Sequence, residues 1–128
     1  MENEKQTIKT FTDLRVWQEA HFLVLLTYKI TKKFPKEELF SLVNQMCRAA
    51  VSITSNIAEG FSRQYFSEKV QFYCIAQGSN TELQNQYLVA RDVGYISFEE
   101  CKEALERSIN VQKMLNGLIK KSRAIHNS

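Results

Sequence analysis

Gln45-Met46-Cys47-Arg48-Ala49-Ala50-Val51-Ser52-Ile53-Thr54-Ser55-Asn56-Ile57-Ala58-Glu59-Gly60 is the stretch that decides the fold. With Leu42 in front, Met46, Ala49, Ile53 and Ile57 recur at steps of three and four, the spacing that puts side chains on one helix face. Gln45, Arg48, Ser52, Asn56 and Glu59 recur at the same steps about 100° round the axis, so one helix carries an apolar and a polar stripe together. Ala49, Ala50 and Ala58 add little bulk and let a neighbouring backbone come close. Gly60 is expected to supply the left-handed residue that commonly ends a helix. The apolar stripe is core. For the polar stripe three readings stand: a seam inside or between bundles, a solvated face, or a ligand site.

Working outward, 128 residues with 44% hydrophobic content suffice for one domain with a proper core and not for two ordinary ones. One Pro, four Gly and no alternating β-branched runs make the expected class all-α. Residues 1–11 lack periodicity and are expected to form a flexible N-terminal arm, with Phe11 tucked onto a single domain over 12–126. No stretch has the roughly 18 consecutive apolar residues of a membrane span, and the polar opening is unlike a signal peptide, so a cytoplasmic protein is expected. Cys47, Cys74 and Cys101 are odd in number and sit among core-like neighbours, which points to free buried thiols.

Thr12 is the expected N-cap of a first helix reaching Lys33, whose apolar positions spread over more than one side; the surplus of Phe22, Leu23 and Leu26 points to cover by another subunit or by two neighbours in the chain. Pro35 breaks the pattern. A second helix is expected from Glu37 or Glu38 to Ala58 or Glu59, then an aromatic connection over 60–66, and a third helix from Ser67 to Asp92. Gly78 inside it costs about 1 kcal/mol relative to Ala, which predicts close approach of another helix. Gly94-Tyr95-Ile96 is the third break, and Ser97-Phe98-Glu99-Glu100 is a capping box with Ile96 and Cys101 at the staple positions. The fourth helix should fray near Ala124. Four long helices with short breaks predict an antiparallel up-down-up-down four-helix bundle.

In that register, residues of helices 2 and 3 whose numbers sum to about 127 share a height. Gln45 then faces Glu82 and Arg48 faces Ser79, which predicts an ion pair or hydrogen-bonded cluster of Gln45, Arg48, Ser79 and Glu82 within a polar seam that also holds Ser52, Asn56, Glu59 and Gly78. Such a pair specifies register more than it stabilises. Arg15, Arg63, Lys69, Lys113, Lys120, Lys121 and Arg123 gather at one pole against Asp13, Glu59 and Glu68, while the other pole carries Glu37, Glu38, Asp92, Glu99, Glu100, Glu103 and Glu106. The net charge of +3 is mild, yet its segregation makes a basic end suited to phosphate; bases near a helix C-terminus also complement the dipole.

No catalytic constellation emerges. His21 lies within a helix and His126 in a fraying tail, and neither partners a nucleophile. Neither histidine follows a Glu by three residues, as a di-iron bundle requires. The cysteines do not meet at one height for zinc, and no glycine-rich phosphate loop is present. A non-enzymatic protein without metal or cofactor is expected.

From Phe11-Thr12-Asp13-Leu14-Arg15-Val16-Trp17-Gln18 through Phe34-Pro35-Lys36-Glu37-Glu38 to Gly94-Tyr95-Ile96, the chain resembles a four-helix-bundle family named for proteins encoded in intervening sequences of bacterial 23S rRNA genes. That family also includes the accessory variability determinant of diversity-generating retroelements. The most specific matches are Gln45, Arg48, Ala49, Ser52, Ile53, Asn56, Ile57, Ala58, Glu59 and Gly60, with Ala76-Gln77-Gly78-Ser79 and Glu82-Leu83. The resemblance implies a ring-like homopentamer with no known catalytic activity; in the retroelement branch the ring is a basic platform for RNA and the reverse transcriptase. Two functions are therefore expected as alternatives. The first is a homo-oligomer that binds RNA or a ribonucleoprotein, or a nucleic-acid-processing protein, through the basic pole. The second is a protein-interaction scaffold with a heterologous protein partner and no nucleic acid.

Overall fold

The structure, a computed structural model, describes residues 7–126. Four helices account for most of it: α1 (Arg15–Thr31), α2 (Leu42–Ser62), α3 (Phe66–Asp92) and α4 (Phe98–His126). Consecutive helices pack against one another, and α1 closes the square against α4, so the fold is an antiparallel all-α four-helix bundle. The apolar stripe read from the sequence is the core: Met46, Ala50, Ile53 and Ile57 are fully buried, and they meet Leu23, Leu83, Tyr87, Val111 and Leu115.

Two polar links cross this core. Tyr87 Oη and Thr27 Oγ1 lie 2.7 Å apart between α3 and α1. Asn80 Nδ2 donates to the Ser108 carbonyl at 2.9 Å, and Ser108 Oγ donates back to Asn80 Oδ1 at 2.7 Å, joining α3 to α4. Buried polar groups that are satisfied by one specific partner fix helix register as well as contributing stability.

Local chemistry sets the helix ends, and three differ from the sequence expectation. Helix α1 starts at Arg15 with Leu14, not Thr12, at its N-cap, because Phe11–Asp13 forms a 3-10 turn whose Asp13 carboxylate turns back to accept from the Lys9 and Thr10 amides. Phe11 packs edge-on against Trp17. Helix α2 starts at Leu42, not Glu37: Pro35 leads into a 3-10 turn over Lys36–Glu38, and Ser41 stands outside helical geometry. Glu38 caps the helix from outside, its carboxylate accepting from Ser41 Oγ and the Leu42 amide. The third difference is Gly60, which takes no left-handed conformation; the helix runs through it to Ser62. A Cβ at Gly60 would stand 2.6 Å from Tyr73 Cε1, so glycine is required there by the approach of α3. The connection to α3 is only residues 63–65.

The far end follows expectation. Gly94 at φ 89° closes α3, with Tyr95 N bonded to Ala90 O and Gly94 N to Arg91 O, the paired bonds of a Schellman motif. The Ser97–Glu100 box forms in both directions, amide to side chain, at 3.0 Å each. Tyr95 Oη reaches Glu38 at 2.7 Å, and Lys33 pairs with Glu100, so both connections at this pole are tied together. The expectation of three buried thiols is corrected: Cys101 is buried, Cys47 half-buried and Cys74 exposed. The apolar surplus of α1 divides in the same way, Leu23 entering the core while Phe22 stays exposed beneath the Arg107 guanidinium, 3.9 Å from the ring centroid.

Candidate functional site

The polar stripe of α2 faces α3, as a seam should, but its contacts differ from those expected. The link between helices is Ser52 Oγ to Ser79 Oγ at 2.7 Å, with Asn56 Nδ2 donating to the Ser52 carbonyl and hydroxyl from the same helix. Pairing Ser52 with Ser79 sets the helices about one turn from the expected register. The cluster of Gln45, Arg48, Ser79 and Glu82 does not form. Arg48 and Glu82 line one groove of 370 Å³ with Asn44, Gln45, Ala49, Ser52 and Ser79. They make no ion pair there, and both are exposed. At that exposure an ion pair returns little for the side-chain freedom it removes. Glu82 instead accepts from Gln86, one turn on along α3, at 3.3 Å.

Two other seam residues are reassigned. Glu59 does not address α3: it pairs with Arg63 at 2.9 Å on the outer end of its own helix. A Cβ added to Gly78 would meet nothing within 4 Å among the described residues. The expected packing reason for this glycine is therefore absent from the described residues.

At the basic pole the structure separates bases that serve the fold from bases that face water. Lys69 Nζ donates to the Phe61 carbonyl at 2.7 Å and lies over the Phe61 and Phe66 rings, satisfying the end of α2. Burial pulls its pKa below the ordinary lysine value. Arg63, besides its pair with Glu59, lies 4.6 Å over the Phe72 ring. Lys113 is well removed from the pole, since the neighbouring Gln112 carbonyl accepts from Gln77 in the middle of α3. Arg15, Lys120, Lys121 and Arg123 are exposed and pair with no carboxylate among the described residues. Arg123 approaches only the Cys74 sulfur, at 4.0 Å. Four of the seven sequence candidates thus form the free basic surface.

With this geometry, the family model for the 23S rRNA-intervening sequence protein matches residues 12–117. The chain belongs to that family. Among solved structures, this intervening sequence protein is similar to a crystal structure from Bacteroides thetaiotaomicron VPI-5482, described as a protein with unknown function from the S23 ribosomal protein family. The TM-score is 0.76 at 22% identity, over 82% of this chain and 95% of that one, a likeness of fold. No curated protein matches the sequence. The family match spans the seam and all four helices but stops before Lys120, Lys121 and Arg123. No helix among the described residues is long and apolar enough to cross a membrane.

Proposed function

We propose that this intervening sequence protein is a non-enzymatic, homo-oligomeric helical bundle that binds RNA, alone or within a ribonucleoprotein, through phosphate contacts at its basic pole. The observation that carries the reading is the set Arg15, Lys120, Lys121 and Arg123, exposed and unpaired where Arg63 and Lys69 are already committed to the fold. Unpaired bases release counterions when phosphates replace water, whereas bases already held by carboxylates or carbonyls contribute far less. Self-association multiplies the patch, and a ring would set several copies of it on one side. The acids support the same polarity, because Glu37, Asp92 and Glu99 are exposed at the opposite pole.

Filter binding of structured RNA across a salt series tests the reading. Four phosphate contacts give a slope of log K against log salt of about −3, and replacing Lys120 and Lys121 by Gln should roughly halve it. Absence of binding, or affinity indifferent to salt, refutes the proposal. The scaffold reading has its own support in Phe40 and Phe98, which are 88% and 74% exposed at the opposite pole. Pull-down with and without nuclease separates the two, since a scaffold keeps its partner when RNA is destroyed.

A further inference from the structure

We infer that the connection between α2 and α3 takes an unpaired stretch of RNA, with one base stacked on the Tyr65 ring and the neighbouring phosphates held by the last turns of α4. This rests on the reading of the basic pole as an RNA contact and names the kind of RNA that the pole takes.

Four aromatic side chains surround this connection, and three are already in use. Lys69 lies over the rings of Phe61 and Phe66, and Arg63 lies over that of Phe72. All three rings are half-buried. Tyr65 differs in each respect: it is 61% exposed, and no ring or cation covers it among the described residues. Its position is a second anomaly. Tyr65 is the N-cap residue of α3 and makes no capping hydrogen bond, at a place where Ser, Thr, Asp or Asn would satisfy a free amide of the first turn. The tyrosine forgoes that local stabilisation, and its ring gains no aromatic or cationic partner among the described residues in return.

The surroundings supply what a nucleotide needs. Asn80 lies opposite Ser108 and Cys74 opposite Arg123, so α3 and α4 run antiparallel and the end of α4 flanks the start of α3. That end carries Lys120, Lys121 and Arg123, which are exposed and pair with no carboxylate among the described residues. A strand with one base on Tyr65 passes these cations within a few nucleotides. Gln64, exposed beside Tyr65, offers an amide to the edge of such a base. Phosphate contacts alone accept a duplex or a single strand, but a free aromatic face takes a base only where that base has left its own stack. Only an unpaired strand therefore uses both halves of the site. Phe40 and Phe98 are more exposed than Tyr65, yet they lie at the acidic pole, where phosphates are repelled, and Arg91 lies over the Phe98 ring.

Fluorescence anisotropy on the full chain tests this with a labelled, unstructured RNA of about 12 nucleotides and with the duplex that it forms with its complement. Tyr65→Ser should weaken single-strand binding by roughly 5- to 100-fold, the worth of one stacked base, and leave duplex binding unchanged. The salt slope should not move, because no charge is removed. Tyr65→Phe keeps the ring face and should keep most of the single-strand affinity. Serine is a preferred N-cap residue, so the melting temperature of Tyr65→Ser should hold or rise, which separates lost stacking from lost fold. Single-strand affinity unchanged by Tyr65→Ser, or a loss shared equally by the duplex, overturns the stacking site and leaves the phosphate contacts standing. Failure of the wild type to bind either RNA overturns the basic pole itself.

Discussion

Gly60→Ala and Gly117→Ala make the same chemical change in two helix interiors and should move stability in opposite directions. At Gly60 the new methyl would stand 2.6 Å from Tyr73 Cε1, 2.9 Å from Cδ1 and 3.1 Å from Phe72 Cβ. Tyr73 is 2% exposed and its ring is held on all sides, while the Phe72 Cβ moves only with its backbone. Forcing a methyl into such a site costs typically about 1–3 kcal/mol, and a contact this short belongs at the upper end. Alanine returns about 1 kcal/mol of helix propensity, for a net loss of about 2 kcal/mol. At Gly117 a Cβ meets nothing within 4 Å, so the same propensity is gained without a steric penalty, about 1 kcal/mol of added stability. The two variants should therefore differ by about 3 kcal/mol. With a urea m-value of about 1–3 kcal/mol/M, their midpoints should lie at least about 1 M apart, on either side of the wild type. Comparing the two at one protein concentration cancels the shared effect of alanine on the unfolded chain. A Gly60→Ala midpoint at or above the wild type would refute the close-approach account of this glycine.

Three further outcomes follow from the core and the acidic pole. Tyr87→Phe removes the bond to Thr27 but leaves that hydroxyl on the Leu23 carbonyl at 2.8 Å, so thermal melts should show a loss of only about 1 kcal/mol. Asn80→Ala should cost about 2–4 kcal/mol, since it opens a cavity and strips Ser108 of its acceptor, and adding Ser108→Ala should cost less than the sum of the single losses. Glu38 is held below the ordinary glutamate value of 4.5 first by the Ser41 hydroxyl and then by Tyr95 and the Leu42 amide. Glu100 is lowered first by Lys33 and then by the Ser97 amide. A depressed folded pKa gives stability that is full above pH 4.5 and is lost as pH falls through the lowered value, so acid unfolding should begin just below pH 4.5. Glu38→Gln should flatten that limb in a pH series of denaturation midpoints by lowering the neutral plateau, with little change at the acid end, where the wild-type carboxyl is already protonated.

Where the determining contact is local, the sequence is readable. Ser97 and Glu100 are three residues apart and satisfy each other, so the start of α4 is recognisable before any tertiary contact is known. Gly94 likewise closes α3 through bonds spanning only residues 90–95. Gly60 carries the same letter and a different duty, set by a tyrosine ring on the next helix. Glu38 reads as a first-turn acid of α2; only the placement of Ser41 and of Tyr95 from the other connection shows that it caps the helix from outside. The basic pole shows the same limit. Composition counts seven bases there, but which are spent depends on the Phe61 carbonyl reached by Lys69 and the carboxylate reached by Arg63.

The polar stripe of α2 joins these two kinds of legibility. Periodicity correctly separates it from the core, because a side chain's angle about its helix is local information. Whether an outward polar side chain meets water, its own chain or another copy is not local, and for Arg48 the described residues supply no partner.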